Sequence, residues 1–216
     1  FDKGTGHFSH YNTATVPGLA SDNIWTVADG GNGKLYIGHV HHGFSILSIK
    51  DKKVRNFVHD PNNRNSLPGN EVRCVYKDMN HNIWVGTNKG LALFNPESEN
   101  FIQFNSDGNL SHYIYDIRQL DGNKLWIAME FGGIAIMDLS QRLFLLPEQT
   151  QFHYIREGDD GYSLSNSSAR CIFQDSFKNI WTGVWGGGIN FLSYEPPLFT
   201  GYYYSPNQNS MSRLNN

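Results

Sequence analysis

Trp25, Arg73, Tyr115 and Arg170 follow one another at intervals of 48, 42 and 55 residues. Four aromatic residues standing eleven positions later, Tyr36, Trp84, Trp126 and Trp181, keep the same uneven spacing. Shared spacing of this kind marks equivalent places in a repeated unit. Arg donates paired hydrogen bonds to carboxylate or sulfate, and Trp and Tyr faces stack on sugar rings. If the units surround a common axis, the first four side chains form part of a ring able to hold a ligand. The competing reading makes each of them bulk packed against the next unit. Phe131, in Met129-Glu130-Phe131-Gly132, and Trp185, in Val184-Trp185-Gly186-Gly187, are further candidates. An aromatic on a bare glycine-flanked loop covers little core, and the glycines let a ligand or partner approach the backbone. Burial against an adjacent domain is the alternative for both.

Other chemistry is weakly signalled. His39, His41 and His42 lie close together, but no Cys or carboxylate stands at ligand spacing, so a solvated rim loop is expected and no metal site. Asp159-Asp160-Gly161 lacks alternating carboxylates and reads as a turn. The sequence has no G-x-S-x-G elbow and no phosphate-binding loop. Gly30-Gly31-Asn32-Gly33 is a hairpin turn with no helix after it. Glu130 and Asp116 can act as an acid and base pair only if folding brings them together. Cys74 and Cys171 share one register position a whole unit apart, beyond disulfide reach, and are expected as two free, buried thiols.

The elements that must position the ring are short strands. Runs Ile24–Ala28, Val72–Tyr76, Ile114–Arg118 and Ala169–Phe173 precede the anchors Tyr36, Trp84, Trp126 and Trp181. A glycine follows each anchor (Gly43, Gly90, Gly133, Gly188), then a third apolar run and a fourth aromatic one. Four strands in a repeat of 40–50 residues is the pattern of a β-propeller blade. A β-sandwich has no reason to repeat one motif at fixed offsets. The fold class is therefore all-β, a propeller fragment of four complete four-stranded blades at 22–59, 70–104, 112–155 and 167–204. Residues 1–11 match the close of a blade and are expected as a leading strand from a preceding one; 205–216 echo an inter-blade linker. The chain opens on Phe1, not Met, and is read as a piece of a longer protein. An open arc leaves two apolar blade faces exposed, so self-association, as a homodimer or larger, is expected. The insertion at 139–151 is expected to extend a strand through Leu143–Leu146.

Composition agrees with this. Aromatics make up 14% of 216 residues and charged residues only 17%, which gives ample apolar surface for a core. The net charge of −3 offers no basic face for nucleic acid. No run of about 18 apolar residues reads as a membrane span.

The stretch Asn70-Glu71-Val72-Arg73-Cys74-Val75-Tyr76-Lys77-Asp78-Met79-Asn80-His81-Asn82-Ile83-Trp84-Val85-Gly86-Thr87, with Gly90-Leu91-Ala92-Leu93-Phe94-Asn95, resembles the two-component regulator propeller repeat. Ser167 to Gly183 is a second copy, and Asn65-Ser66-Leu67 and Tyr162-Ser163-Leu164-Ser165-Asn166 fit its linker. Departures are Tyr36 for Trp, Ala128 for Gly, and Leu120 where the turn Asp is expected. The resemblance implies the extracytoplasmic, periplasmic sensor region of a bacterial hybrid two-component regulator. It implies further blades, a downstream β-sandwich and a membrane helix before a histidine kinase. It also implies no catalysis by this segment and no cofactor. The expected function is recognition of an oligosaccharide or similar glycan breakdown product, acidic ones included, at the ring. The alternative is a protein-interaction or dimerisation scaffold. A propeller lyase or hydrolase would demand a clustered acid and base or a metal.

Overall fold

The computed structural model describes residues 3–104, 110, 112–120, 122–140 and 146–194. It forms four antiparallel sheets in chain order. Sheet I is β1 (Ile24–Gly31), β2 (Lys34–His39), β3 (Phe44–Ser48) and β4 (Val54–Phe57). Sheet II is β5 (Val72–Lys77), β6 (Ile83–Thr87), β7 (Gly90–Asn95) and β8 (Asn100–Phe104). Sheet III is β9 (Ile114–Leu120), β10 (Lys124–Met129), β11 (Gly133–Asp138) and β12 (Phe152–Ile155). Sheet IV is β13 (Ala169–Gln174), β14 (Ile180–Val184) and β15 (Gly188–Leu192). The fourth strand expected at 199–204 lies outside the described residues, as does the linker at 205–216. Each sheet is a simple meander. The first strands β1, β5, β9 and β13 neighbour one another in turn, so they are the innermost strands of a propeller arc.

The hairpin turns explain the local sequence. In sheet II, Asp78 accepts bonds from the backbone N–H groups of Asn80 (2.9 Å) and Asn82 (2.8 Å), from the Asn82 amide (2.8 Å) and from the Trp84 indole (2.9 Å). Asp175 does the same in sheet IV for Phe177, Asn179 and Trp181. One carboxylate thus builds the turn and fixes the anchor indole. In sheet III, Leu120 stands in that place, and the buried Trp126 indole nitrogen finds no hydrogen-bond partner among the described residues. Tyr36 fills the same site in sheet I, with its ring 5.5 Å from Phe44 and 6.3 Å from Phe94.

Cores lie between successive sheets. Tyr36, Phe44, Leu67, Val85, Phe94 and Phe101 join I to II. Trp84, Leu93, Ile114, Ile127 and Met137 join II to III. Trp126, Ala128, Ala169, Ile172 and Ile180 join III to IV. Val16 and Leu19 cover Ile37 and Leu47 on the leading face of sheet I. The inner strand of each following sheet comes so close that the anchor motif needs a small residue. A Cβ on Gly38 would lie 2.5 Å from the Val72 carbonyl oxygen, and one on Gly86 would lie 2.7 Å from Ile114. In sheet III the small residue is Ala128, and the residue facing it in the shared core is Ala169, where the preceding interfaces have Val72 and Ile114. The Gly-to-Ala departure is matched by a smaller partner.

Four expectations need correction. Cys171 is exposed, whereas Cys74 is buried. Cys74 packs between sheets II and III, but the face of sheet IV that carries Cys171, Phe173, Trp181 and Phe191 is uncovered among the described residues. Residues 3–11 form turns and irregular chain with a single β-bridge residue, His7, instead of a continuous leading strand. Of the expected extension, residues 141–145 lie outside the described residues, and Leu146 opens a single 3-10 turn, Pro147–Gln149, since proline at the first position favours a turn over a ladder.

His39 is the fourth. It is fully buried at the end of β2, not on a solvated loop. Its Nε2 lies 2.8 Å from Ser45 Oγ, which donates to Asn56 Oδ1 at 2.6 Å, and the Asn56 amide donates to the Gly18 carbonyl at 2.8 Å. With the serine proton committed to Asn56, the imidazole is the donor. Burial, aided electrostatically by the neighbouring His42, holds the His39 pKa below its ordinary value. The unfolded chain, with its pKa near ~6.5, therefore takes up this proton first as pH falls. Stability from this group is complete above about pH 6.5 and is lost below it. A His39→Gln variant is expected to flatten the fall in urea midpoint between about pH 7.5 and 5.5. An unchanged slope would assign the fall to other groups.

Candidate functional site

The ring residues sit on four equivalent backbone irregularities. In sheet I, Ile24 pairs with His39 and Thr26 with Gly38, so Trp25 is an extra, unpaired residue. Arg73 is skipped in the same way between Val72 and Cys74, Tyr115 between Ile114 and Asp116, and Arg170 between Ala169 and Cys171. Each is the extra residue of a β-bulge, which re-aims a side chain out of the alternation of its strand. A repeated backbone bond ties the loop between second and third strands to this place. It runs from Val40 to Asn23 (3.0 Å), Asn88 to Glu71 (3.0 Å), Glu130 to Tyr113 (2.9 Å) and Trp185 to Ser168 (2.9 Å). Those loops and the bulges therefore form one rim.

The bulged side chains meet. The Arg73 guanidinium carbon lies 4.6 Å from the Trp25 ring centre, 4.7 Å from Tyr113 and 4.9 Å from Tyr115. That of Arg170 lies 3.9 Å from Tyr115 and 5.3 Å from Trp185. Trp25, Arg73, Tyr115, Arg170 and Trp185 thus make a ladder of alternating rings and cations through all four blades, each contact a cation–π pair. Tyr113 stacks on Tyr115 with ring centres 6.4 Å apart. Each arginine also has a carboxylate. Arg170 Nη2 lies 2.7 Å from Glu130 Oε1, which also accepts from the Tyr115 hydroxyl at 3.3 Å. Arg73 Nη2 lies 3.3 Å from Glu71 Oε2, and His41 Nδ1 is 3.5 Å from the other Glu71 oxygen. At the ends of the ladder Trp25 and Trp185 remain 49% and 70% exposed, and Phe131, one residue past Glu130, is 72% exposed. Phe131 is held at positive φ (57°) while its N–H donates to Ser168 Oγ at 3.3 Å. That strained backbone turns its ring out of the protein.

Five of the six sequence candidates are therefore in one connected array, and Phe131 shares its loop with Glu130. Glu71, Glu130 and Tyr113 were not singled out as ring members. They occupy the columns two residues before the bulge (Glu71, Tyr113) and four after the anchor (Glu130, with Trp185), so extending the register by those two columns finds them. Glu130 and Asp116 are not paired. Asp116 accepts from the backbone of Ile172 at 2.9 Å and meets Arg118 at 3.2 Å, and its burial raises its pKa. The three histidines do not converge, since His39 is buried and His41 turns to Glu71. Asp160 caps its own turn, accepting from Tyr162 N–H and Ser163 Oγ.

Residues 66–89 match the family described as two component regulator propeller. The extracellular domain of the hybrid two component system BT3049 from B. thetaiotaomicron is 57% identical, with a TM-score of 0.77 over 91% of this chain and 24% of that one. The corresponding domain of BT4673 from the same organism has a TM-score of 0.68 at 17% identity, over 84% of this chain and 25% of that one, a likeness of fold alone. Histidine kinase P4 of Formosa agariphila is 30% identical over 86 residues, 36% of this chain and 6% of that protein. The chain thus spans a quarter or less of the length of each of these relatives. It carries the two-component regulator propeller repeat on a β-propeller arc of the kind found in the extracellular domains of hybrid two-component systems.

Proposed function

We propose that the chain is a non-catalytic segment of the extracytoplasmic, periplasmic sensor of a membrane-bound hybrid two-component regulator. Its rim recognises an oligosaccharide and signals to a histidine kinase. The observation that carries the reading is the ladder from Trp25 to Trp185. Four bulges aim rings and guanidinium groups at one another, and the end aromatics keep open faces. Aromatic faces of this kind stack on sugar rings. A ligand spanning the ladder touches several inner strands together, so its affinity can differ between two arrangements of the blades, which is what a population shift requires. Isothermal titration of the full chain against an oligosaccharide panel tests the reading. Trp185→Ala and Arg170→Ala are each expected to weaken the binding partner found by about tenfold or more. Absence of binding across the panel would sink it.

A second reading has its own observation. On sheet IV, Phe173 (63% exposed), Trp181 and Phe191 (54%) form an apolar flank. Trp84, the register counterpart of Trp181, is instead fully buried in the core shared with sheet III. The flank suits a scaffold that pairs with another β-sheet. Light scattering across concentrations is expected to show association, which Phe173→Lys with Phe191→Lys reduces. A monodisperse monomer throughout would remove this reading.

A further inference from the structure

We infer that Glu71 and Glu130 are specificity-determining residues. They neutralise Arg73 and Arg170 within the rim, so that it accepts uncharged oligosaccharides and rejects those bearing carboxylate or sulfate. This rests on the oligosaccharide reading above and narrows it.

By sequence, two arginines in one ring suggest an anion receptor. The geometry reverses that. Each guanidinium has its Nη2 turned to a carboxylate, at 2.7 Å for Arg170 and 3.3 Å for Arg73. Both Nε atoms are buried with no hydrogen-bond partner among the described residues, so a ligand cannot grip that edge. The flat faces are covered, by Tyr115 and Trp185 on Arg170 and by Trp25, Tyr113 and Tyr115 on Arg73. Bidentate recognition of a carboxylate or sulfate needs two adjacent N–H groups on one edge. Here an anion would have to displace Glu130 from both Arg170 and the Tyr115 hydroxyl, or sit beside it. The side chains of the Arg170–Glu130 pair are only 26% and 19% exposed, and those of Arg73–Glu71 only 19% and 16%. Solvent screens the resulting like-charge repulsion weakly there. The two arginines and two glutamates leave the ladder itself without net charge, while the exposed Lys89 stands on the adjoining loop between β6 and β7. The accessible surface is that of Trp25, Phe131 and Trp185, apolar faces suited to the C–H faces of neutral sugars.

The test uses the full chain at pH 7.5 and matched neutral and uronic-acid trisaccharides such as galactotriose and trigalacturonate. The neutral member of the preferred pair is expected to bind wild type about tenfold tighter or more. Glu130→Gln is expected to narrow or reverse that ratio. A second arm needs no sugar. Sodium sulfate, compared with sodium chloride at equal ionic strength, is expected to raise the melting midpoint of Glu130→Gln by about 2 °C or more beyond its effect on wild type. Where Glu130→Gln fails to fold, Glu71→Gln applies the same test to Arg73. Tighter binding of the acidic sugar by wild type, or equal sulfate effects on wild type and variant, would overturn the inference. Failure of every sugar would remove the oligosaccharide reading, and with it the stated ligand class, while the sulfate arm still decides whether the glutamates exclude anions.

Discussion

Trp84→Ala is expected to cost about 4 kcal/mol, the largest single-residue loss in the chain. The Trp84 side chain is fully buried between sheets II and III, its ring 5.6 Å from Phe104, and its indole N–H is held by Asp78, itself 3% exposed. Truncation leaves a cavity and removes one of the donors to a buried carboxylate. Trp181→Ala removes the same group from the same register, yet Trp181 is 38% exposed and packs mainly on Phe191, 4.6 Å away. Its loss is expected near 1–2 kcal/mol, since less apolar area leaves water. The Phe variants separate packing from hydrogen bonding. Trp84→Phe gives up a charge-assisted bond worth about 1.5–3 kcal/mol. Trp126→Phe gives up none, because its indole nitrogen is unpaired among the described residues. Urea unfolding of the four variants checks the order. Equal losses at positions 84 and 181, or at Trp84→Phe and Trp126→Phe, would contradict the account.

The second large effect is at the seam between sheets III and IV. Ala169→Ile restores the bulky residue that Val72 and Ile114 supply at the other seams. It is expected to destabilise by about 2–3 kcal/mol, because Ala128 already fills the space that Gly38 and Gly86 leave empty. Ala128→Gly alone is expected to cost about 1 kcal/mol. In the double variant the losses should not add. A coupling of about 1 kcal/mol or more in favour of the Gly–Ile pair is expected from a double-mutant cycle. Additive losses would mean that the two alanines do not share one contact.

These two results concern features the sequence displays unequally. The repeat register was legible, because each anchor must sit between two sheets and each following glycine must turn the chain, so spacing alone exposed the blades. The ring column at Trp25, Arg73, Tyr115 and Arg170 was legible for the same reason. Their bulges were not, since an extra residue in one strand leaves no mark until its partner strand is aligned. Glu71 and Glu130 were hidden because pairing with an arginine of the same or the next blade depends on side-chain reach. His39 was misjudged because three histidines within four residues look polar, while only His41 and His42 extend past β2 into the loop. Cys171 was misjudged because equal register was taken to mean equal cover, and its face of sheet IV lacks a neighbour among the described residues. The price of Leu120 is paid at Trp126, six residues away, and only a structure shows that indole without its carboxylate.

A residue skipped by strand pairing is released from the backbone bargain that binds its neighbours. Positions 25, 73, 115 and 170 do not answer to strand pairing. Their identities are set by one another across the petals, ring against cation, and not by the backbone that presents them. Those four letters form a palette that a designer can repaint as a set.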